Sequence, residues 1–198
     1  MLGVEYSAIQ GLQDYVEAMP RAAIEGARIA LNDVAAGSGL AIFRNAVADE
    51  IDFPPGYLND DRLGVESRAT NSNLAVTIVG RDRPTSLARF VSQVNLPGKY
   101  GVTVQVKRGR TRQIKRGFII RLKNGNKGLA IRLKPGERLS NTTGAKQIGA
   151  NTGLYLLYGP SVDQVFREVG PDKTPEVLAE VEQEFYRQFF RLSGKTRG

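Results

Sequence analysis

At 198 residues, 41% of them hydrophobic and 24% charged, the chain is long enough to bury a core and too apolar to be disordered. It contains no Cys, His or Trp, which excludes disulfides, thiol nucleophiles, imidazole acid–base catalysis and the common zinc sites. The formal charge of +8 is unevenly placed: residues 99–147 hold 14 Lys/Arg against one acid, Glu137, a local +13 that leaves −5 elsewhere and points to an anionic partner or to a basic face meeting an acidic one.

The N-terminus has neither a basic region nor an apolar run of signal-peptide type. The longest uncharged run, Gln147 to Val162, is broken by Gly, Asn and Pro, so a soluble protein without a membrane span is expected. Ser7 to Met19 reads as a short amphipathic helix, with Ile9, Leu12, Val16 and Met19 at spacings of three and four. Pro20 suits the first turn of a second helix, whose stripe is Ile24, Ala27, Leu31 and Val34. Gly37-Ser38-Gly39 should interrupt that helix. The pattern resumes at Leu40, Phe43, Val47 and Ile51 and stops at Pro54-Pro55.

The period then changes. LGVESRA and NLAVTIVGR read as the strands of a hairpin around TNSN, and RPTSLARF as a connection that docks Leu87 and Phe90 on the core. YGVTVQVKRG alternates Val102, Val104 and Val106 against Thr103, Gln105 and Lys107. GFIIRLK and GLAIRLK flank the turn Asn124 to Gly128, with Phe118, Ile120 and Leu122 expected to face a core and Ile119, Arg121 and Lys123 the cationic side. After the polar stretch SNTTGAKQIGANTG and the apolar LYLLYGP, Ser161 and Gln164 have capping-box spacing. The helix they start should end at Gly170-Pro171, and Thr174-Pro175 should start another along Val177, Val181, Phe185, Phe189 and Leu192. The expected class is α+β in one domain: N-terminal helices over 1–53, a mainly antiparallel core over 62–134 with a long basic hairpin about 99–147, and C-terminal helices over 161–192.

Candidate chemistry is sparse. Asp49, Glu50 and Asp52, or Asp60 and Asp61, are read as helix-end and turn acids rather than magnesium ligands; Ser38 lacks a base; no phosphate-loop motif is present. No catalytic residue, cofactor or metal is assigned. The candidate functional residues are cations of the basic arm, Lys107, Arg108, Arg110, Arg112, Lys115, Arg116, Arg121, Lys123, Lys127, Arg132 and Lys134. Three uses fit them: a solvated edge that resists aggregation, phosphate contacts without sequence readout, or a surface that lines a channel or docks on an acidic neighbour. Phe185, Phe189 and Phe190 on the last helix are candidates for a subunit interface, although docking on the chain's own sheet also accounts for the first two.

Several stretches, in kind and order, resemble the minor tail protein Z or tail-completion family of tailed bacteriophages: AIQGLQDYVEAMPRAAIEGARIALNDVA, AVADEI, YLNDDRLGVESRAT, GRDRPTSLARF, RGFIIRLKNG and LYGPSVDQVF. The likeness spans nearly the whole chain and lies in the succession, above all in RPTSLARF and LYGPSV. It implies a structural virion protein of the tail or neck, assembled in the host cytoplasm, that acts at the head–tail junction in a hexameric ring of its own copies. Its neighbours would be tail-tube or terminator and head-connector proteins, with the basic arm on an adjacent subunit or on genomic DNA. A free-standing nonspecific nucleic-acid-binding protein is the alternative.

Overall fold

The computed structural model describes residues 4–5, 21–91, 101–139, 144–149 and 152–193. Residues 1–47, 58–81 and 166–198 form one unit, and residues 48–57 and 82–165 a second. Helices, antiparallel sheets and a final helix follow one another along the chain, the expected α+β class. The expected helix at Ser7 to Met19, Pro20 and the arm residue Lys99 lie outside the described residues.

In the first unit the Ala-rich stretch forms α1, Arg21–Ala36, and the chain resumes as α2, Ser38–Glu50. The break falls at Gly37, whose N–H donates to the Val34 carbonyl at 3.2 Å and whose carbonyl accepts the Ala41 N–H at 3.1 Å, so hydrogen bonding runs through the interruption. The buried stripe of α1 is wider than its large apolar residues suggest, because Ala23, Ala30 and Ala35 join Ala27, Leu31 and Val34. Gly26 lies on the same side, where a Cβ would come within 3.3 Å of the Phe189 backbone nitrogen. Its helix-propensity cost of about 1 kcal/mol is thus tied to a close helix–helix approach.

The hairpin partners are β2, Leu63–Ser67, and β3, Thr77–Gly80, with β1, Val4–Glu5, on the far edge of β3. Ala27, Leu31, Ala69 and Leu74 make the core cluster, on which Ile24, Val76, Val181 and Phe185 pack.

The last helix departs from expectation. One continuous α3, Val162–Leu192, contains both Pro171 and Pro175 instead of ending at the first and restarting at the second. Both prolines are exposed, where the helix has no apolar neighbour to displace, while Val177 and Val181 face inward. The expected capping box is present: the Ser161 N–H donates to Gln164 Oε1 at 2.9 Å and the Gln164 N–H to Ser161 Oγ at 3.0 Å. No helix among the described residues is long and apolar enough to cross a membrane.

The second unit holds two sheets. β4, Val102–Lys107, and β5, Arg110–Ile114, form a two-stranded ribbon. β6, Phe118–Arg121, β7, Lys127–Arg132, β8, Gly144–Gln147, and β9, Leu154–Tyr158, form an antiparallel sheet in the order β6-β7-β9-β8. A 3-10 turn, Leu87–Phe90, buries Leu87 and Phe90 as expected. It meets the LYGPSV stretch directly: Ser86 bridges Tyr158, the Gly159 N–H donates to the Thr85 carbonyl at 2.8 Å, and a Cβ on Gly159 would lie 3.2 Å from Leu87 Cδ2.

The basic arm is two short hairpins, not one long one. After Ile114 the chain turns through Arg116, whose φ of 65° is left-handed, and the Gly117 N–H closes on the Ile114 carbonyl at 2.9 Å. β6 therefore leaves β5 and pairs with β7. The expected division of β6–β7 into an apolar and a cationic face also gives way. Residues directly opposite in an antiparallel pair share a face, so Leu129, 0% exposed, lies on the side of Ile119, Arg121 and Lys127. As an inner strand, β7 is buried on both sides from Gly128 to Ile131, and its cations sit at its ends.

Candidate functional site

The β4–β5 ribbon reverses at Arg108-Gly109 and places Lys107 directly opposite Arg110. Like charges so placed destabilise a ribbon, and the C-terminal end of α2 supplies the offset. Glu50 pairs with Lys107; Asp49 and Asp52 lie 3.5 and 4.0 Å from Arg108. Gln105 Nε2 donates to Asp52 Oδ2 at 2.9 Å, and the Asp52 N–H donates to the Val106 carbonyl at 2.8 Å. The acids read from the sequence as helix-end residues thus fasten the ribbon. That role depends on chain reversal between positions more than fifty apart, and no local pattern announces it.

On β5 the side chains alternate. Arg110 and Arg112 share a face with Ile114, while Thr111 and Gln113 take the other. Both arginines are exposed and have no acidic partner among the described residues. Lys115 is likewise exposed and without an acidic partner in the turn that follows.

Arg116 is engaged within its own unit. Its Nη1 reaches Glu137 at 3.1 and 3.2 Å, and Glu137 also accepts the Lys134 N–H at 2.8 Å. That backbone hydrogen bond, followed by the Arg116 guanidinium, holds the Glu137 carboxyl below its ordinary pKa. The sole acid of the basic stretch therefore closes the turn at Lys134–Glu137 and clamps the left-handed Arg116.

At the β6–β7 end, Arg121 stands directly opposite Lys127, beside Lys123 and the turn at Asn124–Asn126. All three cations are exposed and lack acidic partners among the described residues. Arg132 closes β7 opposite Leu154, away from that turn. Of the eleven candidate cations, then, Lys107, Arg108 and Arg116 are spent on internal pairs, Lys134 sits against Glu137, Arg110, Arg112, Lys115, Arg121, Lys123 and Lys127 form the available cationic surface, and the exposed Arg132 stands apart at the far end of β7.

Of the C-terminal aromatics, Phe185 and Phe189 dock on their own unit, the alternative the sequence left open for them. Phe185 packs on the core of the first unit and stacks with Phe189 at 5.9 Å, and the Phe189 backbone abuts Gly26. Phe190 is half-buried, and its ring lies 6.5 Å from that of Tyr186, which is 48% exposed. Tyr186 escapes a reading that follows the apolar stripe alone, because it lies on the opposite side of the helix. Among the described residues no group of three or more acids is placed to hold a metal ion. Comparison with protein-family models, curated proteins and solved structures gives no match to this chain.

Proposed function

We propose that the chain is a structural virion protein of a tailed phage, a tail-completion or neck component that fills a place in a ring of its own copies at the head–tail junction. The observation that carries this reading is the segregation of charge within one subunit. The second unit holds 16 Lys/Arg against 6 Asp/Glu, a formal +10, and the first 12 against 14, a formal −2. A subunit with two unlike faces associates head to tail, and such contacts close into a ring when the rotation allows. Complementary charge supplies orientation and encounter rate, and burial of groups such as Tyr186 supplies affinity. The succession of motifs resembling the tail-completion family adds the place in the particle, with tube or terminator and connector proteins as neighbours and DNA passing through. Mass photometry and electron microscopy of the purified chain test the reading. Closed rings, and the chain's presence in virions, are expected; a monomer at every concentration that never enters particles overturns it.

A second reading, nonspecific nucleic-acid binding, is favoured by Arg110 and Arg112, which share one strand face and have no acidic partner among the described residues. It gives a monomer that binds DNA with a steep salt dependence instead of assembling.

A further inference from the structure

We propose that the exposed face of α3 is the docking surface for the β4–β5 ribbon of a second copy of the chain, with Glu168 and Asp172 of one copy receiving Arg110 and Arg112 of the next. This deepens the self-assembly reading and rests on it.

At about 100° per residue, Glu168, Asp172, Glu182 and Tyr186 fall within an arc of about 80° on α3, opposite Gly170, Val177, Val181 and Gln188. Burial follows the same division. The first four residues are exposed, while Gly170 and Gln188 are buried and Val177 and Val181 face the unit's own apolar groove. Other acids of the helix are engaged: Glu176 by Lys173 at 3.0 Å, Glu180 by Ser38 at 3.4 Å, and Glu184 by Arg187 at 2.6 Å. Glu168, Asp172 and Glu182 have no cationic partner among the described residues. The unpartnered acids of α3 are thus gathered on the face that its own unit leaves uncovered.

The complementary charges are on the same chain. Arg110 and Arg112 project from one side of β5, exposed and without acidic partners among the described residues, where the acids nearest the ribbon's end are taken by Lys107 and Arg108. Spacing matches as well as sign. Residues i and i+4 of a helix are separated by a rise of about 6 Å, and residues i and i+2 of a strand by about 6.8 Å. Two guanidiniums on a strand therefore meet two carboxylates on a helix without either backbone deforming. Guanidinium–carboxylate pairs of this kind select orientation. Tyr186 continues the face and offers an amphipathic ring of the type that anchors interfaces. The acceptor and donor surfaces differ, so the contact is heterologous, as a ring requires.

Charge reversal in the full-length chain, followed by sedimentation velocity, tests the pairing. Glu168→Arg with Asp172→Arg, and separately Arg110→Glu with Arg112→Glu, should each weaken association by about 100-fold or more, since facing like charges costs several kcal/mol. Combining all four should restore association to within about tenfold of wild type. Glu168→Gln with Asp172→Asn, which adds no repulsion, should weaken it about tenfold and serves if a reversal fails to fold by circular dichroism. Wild type that assembles together with either reversed pair that assembles equally well overturns this contact and leaves self-assembly standing. Reversed pairs that both fail, with no recovery on combination, overturn it too. A wild type that stays monomeric and binds duplex DNA through Arg110 and Arg112 overturns this contact and the self-assembly reading together.

Discussion

Asn32 joins two elements with a single amide. Its Nδ2 donates to the Ala69 carbonyl at 3.0 Å while its Oδ1 accepts the Ala69 N–H at 2.9 Å, closing both backbone groups of a residue that is 4% exposed. Asn32→Ala leaves that N–H and carbonyl without their partner, so it should lower stability by about 1–3 kcal/mol in urea unfolding. Asn32→Asp, which keeps the acceptor and loses the donor, should fall between. A loss below about 0.5 kcal/mol for the alanine variant would mean that water replaces the amide at no cost. The capping pair at Ser161 and Gln164 was readable because a three-residue spacing defines it; the Asn32 pair was not, because Ala69 comes from a distant turn. Acid sensitivity belongs to this scale also. Glu184, held below its ordinary 4.5 first by the hydrogen bond from Arg187, and Glu137, held there first by the Lys134 N–H, are both lowered on folding. Their contribution is complete above the unfolded-state value and is lost as pH falls through the lowered folded one. Stability should therefore drop on acidification below about pH 4.5, and Glu184→Gln with Glu137→Gln should flatten that drop in unfolding curves recorded as a function of pH.

α3 shows how packing overrides a local stop signal. Gly-Pro and Thr-Pro read as an end and a start because proline forfeits an N–H and crowds the preceding turn, at about 3 kcal/mol in a helix interior. The apolar stripe at Val177, Val181 and Phe185 argues the other way, and both prolines lie outside it at exposed positions. Pro175→Ala should accordingly stabilise the protein by about 1–3 kcal/mol, reduced by the greater freedom of the unfolded chain, as measured by chemical denaturation. No gain at all would mean that the helix is already broken there. The basic stretch failed as one element for a comparable reason. Alternation identifies strands, but which strand pairs with which depends on the turn at Arg116, a left-handed residue that its own identity does not announce. The latch at the ribbon's end gives a further test. Replacing Asp49, Glu50 and Asp52 with their amides should speed amide hydrogen exchange across Gln105–Thr111 about tenfold with little change in global stability, because exposed ion pairs contribute at most about 1 kcal/mol each.

Across the molecule, the charge asymmetry was legible in the sequence and its limits were not. Three acids that belong by position to the N-terminal helices sit in the basic unit and cancel cations there, so the surface that meets a partner is smaller than the run of Lys and Arg implies. This distinction has a measurable consequence for any phosphate contact by separated subunits. A cation already paired with a carboxylate releases little counterion when a phosphate arrives, whereas an unpaired one releases nearly its full share. With Arg110, Arg112, Lys115, Arg121, Lys123, Lys127 and Arg132 as the seven unpaired cations of the hairpins among the described residues, fluorescence anisotropy on duplex DNA should give a log–log salt slope no steeper than about −6. Arg110→Gln with Arg112→Gln should reduce that slope by about 2, and Lys107→Gln with Arg108→Gln should leave it almost unchanged. Equal reductions from the two pairs would mean that the α2 acids release the ribbon when DNA binds, and that the latch yields to a phosphate backbone instead of holding against it.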